Sequence, residues 1–261
     1  MDTASFSEEM QEWLFNSRQT FLSNLSVDCV IFGFSGNELK VLLLKWKEVH
    51  RWSLPGGFIQ TDEKIEDAAI RVLKQRTGLG DIYLRQFHTF GGLERSGVEL
   101  KKELFLKVFG IEVPVESWLF SRFVSIGYYA LVDFKDVTPT LDPVSEAAEW
   151  WNVSELPDLI LDHNQMVDKA LSALRLQIST EPIGLSLLPE KFTLPELQKL
   201  YETILGKEID RRNFRKKMLN TGILDKLDEM KTGGAHRAAH YYSFNEAQYN
   251  NVLEEGLKLG F

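Results

Sequence analysis

A glycine-rich loop followed at once by an amphipathic helix is the feature that most restricts the fold of this chain. The loop spans residues 55–58. Apolar side chains then recur at i, i+3, i+4, i+7 and i+8, which predicts a helix over residues 64–75 that ends near Gly78. These apolar side chains are Ile65, Ala68, Ala69, Val72 and Leu73. Thr61 or Asp62 is expected to cap the first turn of the helix.

Apolar runs on both sides of this segment predict a sheet. Residues 27–34 and 40–46 are rich in Val, Ile and Leu, and a turn at residues 35–38 separates them, so they read as a strand pair. Further strands are expected at 84–90, 123–131 and 148–152, and a second helix is expected at 164–177. Cys29, the only cysteine, lies in the first run and is expected to be a buried thiol.

The composition is that of a soluble globular protein. Of the 261 residues, 44% are apolar and 26% are charged. No uninterrupted apolar stretch approaches the roughly 18 residues of a membrane helix. The first residues show no basic region followed by an apolar one, so no signal peptide is expected. A single cysteine also fits a reducing compartment, and we expect a cytoplasmic protein with no membrane partner.

A change in composition predicts two domains. Residues 179–189 contain two prolines, one glycine and three serine or threonine residues, which is typical of a linker. We therefore expect a first domain over residues 26–180 and a second over 181–261. Residues 1–25 carry apolar side chains at loosely helical spacing and are expected to form an N-terminal extension.

The second domain begins with the pattern of a helix–turn–helix unit. Thr193 followed three residues later by Glu196 has the spacing of a capping box at a helix start. A second helix is predicted over residues 211–220, with Asp210 as its N-cap. Two consecutive helices of this kind are typical of DNA-binding domains.

The second helix and a following hairpin carry the candidate DNA contacts. Phe214 and Met218 take the inward side of the helix and leave its polar residues on the other side. Those expected to contact DNA are Arg211, Arg212, Asn213, Arg215, Lys216 and Lys217. Strands are then predicted at residues 223–227 and 240–244, and the tip between them is basic. The tip residues expected to contact DNA are Lys231, Thr232, His236 and Arg237. A hairpin behind such a helix predicts a winged helix.

The charge distribution agrees with this assignment. The whole chain has a net charge of −8. Residues 187–245 hold 11 basic and 8 acidic residues, a net of +3, whereas residues 1–186 hold 18 and 27, a net of −9. A basic segment behind an acidic body favours DNA binding by the second domain. A protein-docking winged helix is the alternative, and it would lack the steep salt dependence of phosphate contacts.

The glycine-rich loop and its helix resemble the Nudix box, which reads Gly-x5-Glu-x7-Arg-Glu-apolar-x-Glu-Glu-x-Gly-apolar. Six positions agree with this pattern: Gly57, Glu63, Arg71, Leu73, Gly78 and Leu79. The resemblance implies the Nudix fold, an α/β (α+β) sandwich of a mixed sheet between helices, here followed by a winged helix–turn–helix domain.

The glutamates that bind a divalent metal in that family are replaced. Val72, Gln75 and Arg76 stand at their positions. A hard dication needs several oxygen ligands, and a guanidinium at the same place repels it. We therefore expect no metal, no cofactor and no catalytic residue, with Glu63 and Arg71 kept as a structural ion pair. Glu66 and Asp67 are possible substitute ligands, although solvated carboxylates in the first turn of a helix are the commoner case.

A pocket without metal could still bind a ligand. Aromatic and basic residues near the loop and on later strands suit a sugar or a nucleotide sugar. The candidate effector-binding residues are Lys45, Lys47, Arg51, Trp52, Arg85, His88 and Tyr128.

The whole chain resembles the Nudix-related transcriptional regulators, which join a degenerate Nudix domain to a winged helix. The runs that carry the likeness are 27–34, 52–58, 124–131, 155–157, 162–163, 181–184 and 212–216. They look closest to the arabinose-responsive regulator of Bacteroidetes-type bacteria. One departure is a long segment, residues 95–122, where relatives have a short loop. The resemblance implies a homodimer, a palindromic double-stranded DNA operator and a sugar effector that relieves repression in carbohydrate metabolism.

The sequence thus predicts a transcriptional regulator, and more specifically a repressor, controlled by a sugar or nucleotide sugar. L-arabinose, another sugar and ADP-ribose all remain candidate effectors. The alternative is a metal-dependent Nudix pyrophosphohydrolase with an appended interaction domain, in which Glu66 or Asp67 would hold Mg²⁺.

Overall fold

The structure is a computed structural model that describes seven stretches of the chain. They are residues 19–35, 37–80, 83–114, 116–178, 181–185, 187–231 and 239–255. Most of the predicted N-terminal extension, residues 1–18, lies outside them. Its last residues are not part of an extension, because the first strand already begins at Phe21.

A seven-stranded sheet dominates the first part of the chain. Its strands are β1 (Phe21–Ser35), β2 (Glu38–Trp46), β3 (Trp52–Ser53), β4 (Gly56–Gln60), β5 (Tyr83–Phe90), β6 (Val124–Asp133) and β7 (Ser145–Asn152). Neighbouring strands follow the order β3-β2-β1-β6-β5, while β4 pairs with β1 and β7 with β2. Residues 26–33 of β1 are all buried. Since successive residues of a strand face opposite ways, both faces of the sheet are covered there.

The helices α1 (Ile65–Thr77), α2 (Val98–Phe109) and α3 (His163–Gln177) follow in the described part of the chain. The predicted helices at 64–75 and 164–177 are confirmed, as are the predicted strands of this region. The cap prediction for α1 is wrong, because Lys64 holds the N-cap position without a side-chain bond. Thr61 and Asp62 instead form a turn, which Glu63 closes by accepting a 2.7 Å bond from the Gln60 amide.

The long segment at residues 95–122 folds into a small helical subdomain. It contains α2 and two short 3-10 helices, Leu93–Ser96 and Trp118–Phe120. Seven of its buried apolar residues form one cluster with Phe123, which follows the segment: Phe105, Phe109, Ile111, Val113, Trp118, Leu119 and Phe120. Phe58 of β4 joins this cluster, with ring centroids 5.1 Å from Trp118 and 5.4 Å from Phe123. The segment therefore packs on the glycine-rich loop.

The C-terminal part has the order strand, helix, helix, strand, strand, helix. The elements are β8 (Phe192–Thr193), α4 (Leu194–Leu205), α5 (Arg211–Asn220), β9 (Leu224–Lys231), β10 (Ala239–Phe244) and α6 (Glu246–Glu255). The three strands form a sheet in the order β8-β10-β9. Both predicted helix starts are confirmed: Thr193 begins α4 with a capping box, and Asp210 caps α5. This is the predicted winged helix.

The chain divides into two compact units. Among the described residues, the first contains those within 19–32, 40–130 and 136–170, and the second contains those within 33–39, 131–135 and 171–255. The change from the first unit to the last falls within α3. Within the described residues, no helix combines the length and the apolar character that crossing a bilayer requires.

Candidate functional site

Glu63 and Arg71 connect the glycine-rich loop to α1. Arg71 donates from Nη2 to Glu63 Oε1 at 2.5 Å and from Nε to Oε2 at 3.0 Å. The same Nη2 also donates to the Phe58 carbonyl at 2.8 Å. The Arg71 guanidinium lowers the pKa of Glu63, which keeps the carboxylate charged. The predicted structural ion pair is confirmed.

The three positions that hold metal-binding glutamates in Nudix enzymes carry no carboxylate here, and two of the side chains there have other partners. Val72 is buried, and its Cγ2 lies 2.7 Å from where a Cβ on Gly57 would stand, so it packs directly on the loop backbone. Gln75 is exposed. Arg76 pairs with Asp142, with Nη2 and Oδ2 3.3 Å apart. The face of α1 beside the loop is thus built from apolar packing and an ion pair.

The possible substitute ligands do not gather into a metal site. Glu66 and Asp67 are both exposed in the first turn of α1. Among the residues that the structure describes, no group of three or more His, Cys, Asp or Glu side chains could hold a metal ion. Carboxylates in the first turn of a helix favour its positive end.

Four of the candidate effector-binding residues lie on or beside the paired strands β2 and β3. Lys45 is directly opposite Trp52 in the antiparallel pairing of these strands. Lys45 binds Glu146 of β7 at 2.7 Å, which lowers the pKa of that carboxyl. Lys47 donates to the Pro143 carbonyl at 2.8 Å.

Aromatic surface completes this group. The Trp52 ring meets Trp151 edge-on at 5.2 Å between centroids. Arg51, beside Trp52 in the chain, is exposed. The structure therefore brings cations and an indole together here, and we call Lys45, Lys47, Arg51 and Trp52 the edge group.

The other three candidates lie on the far side of the sheet. Arg85 and His88 are exposed on β5, and Tyr128 is on β6 next to it. Tyr128 is buried, with its hydroxyl 3.4 Å from Oε1 of Gln86. Strand β1 lies between β2 and the strands β6 and β5 that carry these residues, so the seven candidates fall on two separate parts of the sheet.

A buried cluster of charged groups was missed by the sequence reasoning. Arg95, which is 3% exposed, donates from Nη2 to Oδ2 of Asp28 at 3.0 Å and from Nη1 to Oδ1 of Asp162. Ser125 donates to the same Asp28 oxygen at 2.5 Å. A signal for it was present: an aspartate inside the apolar run at residues 27–34 requires a buried partner.

His163 completes the cluster in its neutral form. Its Nδ1 accepts a 3.0 Å bond from the Leu54 amide, so the ring proton is assigned to Nε2, which lies 4.0 Å from Oδ1 of Asp28. Burial lowers the pKa of His163. Burial lowers the pKa of Lys101 on α2 to about 8, and the positive charge of Arg95 nearby acts in the same direction.

The candidate nucleic-acid interface is the outer face of α5. Phe214 and Met218 are buried beneath it, and the Phe214 ring packs edge-on against Tyr201 of α4 at 5.3 Å. The exposed residues of its polar face are Arg211, Arg212, Asn213, Arg215 and Lys216, while Lys217 is half-buried. Within the described part of the chain, no ion pair involves the four exposed cations. Their charge is therefore available to an external anion.

Strands β9 and β10 pair antiparallel as predicted, although β9 is longer and runs from Leu224 to Lys231. Lys231, a predicted DNA contact, binds Oε1 of Glu196 at 2.6 Å, which raises the pKa of Lys231. This pair links the end of β9 to the capping box of α4. The other predicted tip contacts, Thr232, His236 and Arg237, lie outside the described residues.

Comparison with known proteins matches both parts of the chain. Residues 22–171 match the Nudix domain profile, and residues 184–244 match the profile of the NrtR DNA-binding winged helix domain. A curated relative, the ADPR-responsive transcriptional repressor NtrR of Acinetobacter baylyi, is 28% identical over 253 residues. The alignment covers 90% of this chain and 92% of the relative.

Solved structures agree with these matches. NrtR of Shewanella oneidensis in complex with a 27mer DNA is 26% identical, with a TM-score of 0.66 over 87% of this chain and 95% of that one. A MutT/nudix family protein from Enterococcus faecalis shares the fold at 22% identity, with a TM-score of 0.62 over 94% and 99% of the two chains. The predicted fold class is confirmed. The expected likeness to the arabinose-responsive branch gains no support, since the curated relative is named for ADP-ribose.

Proposed function

This chain belongs to the Nudix family and joins its Nudix domain to a DNA-binding winged helix domain of the NrtR type, and on that premise we propose that it is a transcriptional repressor controlled by a nucleotide sugar. The observation that carries the proposal is the outer face of α5, where exposed cations stand without carboxylate partners among the described residues. Helices of this kind place their polar face in the major groove, where cations contact phosphates and base edges.

We assign ADP-ribose as the first candidate effector. The curated relative is named as ADPR-responsive, and the edge group offers chemistry that suits such a ligand. An indole can stack on an adenine ring, and Arg51 and Lys45 can contact a diphosphate. Free sugars, L-arabinose among them, are the second candidate, as the resemblance to sugar-responsive regulators suggests.

A dimer is part of the proposal. Two copies of the winged helix related by a two-fold axis would match a palindromic operator, with one α5 helix in each half-site. An effector that binds one dimer geometry more tightly shifts operator affinity by the difference in its two affinities. Because a regulator of this kind acts on chromosomal DNA, we propose that it is a cytoplasmic protein.

We further propose that the Nudix domain binds its ligand without hydrolysing it. Val72 and Arg76 offer no oxygen ligand at two of the three glutamate positions, and Gln75 offers only a neutral amide. The competing function is a Mg²⁺-dependent pyrophosphohydrolase that uses Glu66 or Asp67. Incubation with ADP-ribose and Mg²⁺ separates the two, because AMP release that is lost in Glu66→Gln or Asp67→Asn would establish the enzyme.

An operator gel shift tests the regulator. The full chain is titrated onto DNA from upstream of its own gene at several salt concentrations, with and without ADP-ribose, L-arabinose and other pentoses. We expect operator binding to weaken steeply as the salt concentration rises, as counterion release requires. We also expect one of these ligands to release the protein from the DNA. Binding that is insensitive to salt would favour a protein-docking role for the winged helix, and no response to any ligand would defeat the effector proposal.

A further inference from the structure

The buried cluster of Asp28, Ser125, Arg95, Asp162 and His163 plays no part in the function argued so far. Its members come from separate parts of the Nudix domain: β1, β6, the short helix at Leu93–Ser96, and the start of α3. All five are at least nine-tenths buried. Gly56 of the glycine-rich loop pairs with Asp28 in the sheet, and a Cβ there would collide with Oδ1 of that aspartate. The loop is thus shaped to admit a carboxylate.

The charge of the cluster restricts what it can bind. Two carboxylates face one guanidinium, and His163 is neutral, so these five side chains carry a net charge of −1, while the ammonium of Lys101 lies near Arg95. A phosphate would have to approach two buried carboxylates, which repel it. A metal ion is also disfavoured, since no group of suitable ligands lies together in the described chain. Neutral groups that donate hydrogen bonds are the chemistry that remains.

The cluster also has hydrogen-bonding capacity that the protein does not fill. The Nε of Arg95 is buried and has no hydrogen-bond partner among the described residues. A buried N–H without an acceptor is costly, and it points to a group that the protein does not supply. The side chain of Asp28 is 10% exposed, against 3% for both Arg95 and Asp162. Asp28 is therefore the member that a ligand would reach first.

We propose that Asp28, Arg95 and Asp162 form a subsite for neighbouring hydroxyl groups of the effector's sugar. A hydroxyl can accept a bond from Nε of Arg95 and at the same time donate to an aspartate oxygen. A metal ion cannot accept a hydrogen bond, and the ionised oxygens of a diphosphate cannot donate one. The inference rests on the proposed function, because it assigns the sugar half of a nucleotide-sugar effector.

The segment at residues 95–122 then completes the subsite. Arg95 stands at its beginning, and Lys101 of α2 anchors the segment by donating to the Leu119 carbonyl at 2.7 Å. Gly97, between Arg95 and α2, has a φ of 52° and packs on Leu161. A non-glycine residue would be strained in that conformation. The segment thus supplies a side chain for ligand recognition as well as a cover for the loop.

The test measures binding of ADP-ribose and of ADP, which lacks the terminal sugar, to the full chain and to Asp28→Asn and Arg95→Lys. Both substitutions preserve most of the side-chain volume. Glu103→Gln, on the exposed side of α2, is the matched control. Thermal unfolding of each variant, compared with the wild type, shows whether its Nudix domain is folded.

We expect the wild type and Glu103→Gln to bind ADP-ribose at least about tenfold more tightly than ADP, as one hydrogen bond to a charged group implies. This preference should disappear in Asp28→Asn or in Arg95→Lys. An undiminished preference in folded variants overturns the subsite and leaves the proposed function standing. If the wild type instead binds a free pentose and Asp28→Asn abolishes that binding, the subsite holds and ADP-ribose fails as the effector. Binding of neither ligand class overturns both.

Discussion

Nη2 of Arg71 lies 2.5 Å from Oε1 of Glu63, and the same nitrogen reaches the Phe58 carbonyl at 2.8 Å. One guanidinium therefore holds the turn at Glu63, the strand β4 before that turn and the middle of α1 in a fixed arrangement. In this chain the pair has a structural role that does not depend on metal. The motif survives where it shapes the loop and is replaced where it would bind a dication.

Replacing Glu63 with Gln should lower the free energy of unfolding by about 1–3 kcal/mol at pH 7, because charge-assisted hydrogen bonds are weakened to neutral ones. Urea unfolding of the two proteins measures the difference. Glu66→Gln, in an exposed position on the same helix, is the control and should change stability by less than about 0.5 kcal/mol. Equal stability of all three proteins would contradict the structural role of the pair.

The difference between Glu63→Gln and the wild type also depends on pH. The pKa of Glu63 is lowered in the folded protein, so the carboxylate contributes stability above its unfolded pKa of about 4.3. That contribution is lost as the pH falls through the folded pKa. Unfolding curves at pH 7 and pH 3 should therefore show a smaller gap at pH 3.

Returning a glutamate to position 72 should destabilise the protein instead of restoring a metal site. Val72 is 1% exposed and packs against Gly57, so Val72→Glu buries a carboxylate without a partner. We expect a loss of at least about 3 kcal/mol, by analogy with an uncompensated buried charge. Thermal unfolding with and without millimolar Mg²⁺ measures this loss of stability and any stabilisation by the metal. A variant of wild-type stability that Mg²⁺ stabilises further would show that the site is intact.

Sequence periodicity predicted the helices and strands well where local pattern and burial agree. The helix at Arg211–Asn220 was predicted at its observed bounds, since Asp210 marks its start and Phe214 and Met218 define its buried side. The cap of α1 was predicted wrongly because Glu63, which the motif had assigned to Arg71, also serves the Gln60 amide. A residue that satisfies two partners is not visible in a linear pattern.

The candidate sites also differ in whether local sequence is enough to predict them. The basic face of α5 follows from spacing within ten residues and needs no long-range information. Arg95 binds Asp28 and Asp162, each of which lies 67 positions away from it in the chain. Only the fold brings this cluster together. The seven effector candidates were grouped by residue type and by their places near the loop and on later strands, and the strand order puts them in two separate parts of the sheet.

Arg212→Ala and Lys216→Ala should each weaken operator binding about five- to tenfold without changing effector affinity. Both side chains are exposed on the side of α5 opposite Phe214 and Met218, which is where a DNA backbone would lie. Loss of one phosphate contact should also reduce the slope of log K against log salt by about 1.

Lys107→Ala is the matched control for these two variants. Lys107 is an exposed cation on α2 that pairs with Glu103 at 2.7 Å, so its removal changes the net charge equally at a distant position in the chain. It should leave both affinity and salt slope unchanged. Operator affinity that remains at the wild-type level in Arg212→Ala and Lys216→Ala would remove α5 from the interface.

The neutral state of His163 makes the stability of the Nudix domain depend on pH. Burial lowers the pKa of His163 below its usual 6.5, Arg95 lowers it further, and Asp28 and Asp162 act in the opposite direction. Between the folded and unfolded pKa values the unfolded chain binds more protons, so the stability must fall as the pH falls below about 6.5. The slope from this one group is at most about 1.4 kcal/mol per pH unit.

His163→Asn keeps an acceptor for the Leu54 amide and has no titrating ring. Urea unfolding between pH 7.5 and 5.5 should therefore show a steeper loss of stability for the wild type than for His163→Asn. Parallel curves would mean that His163 titrates normally in the folded protein and that the cluster carries a different charge.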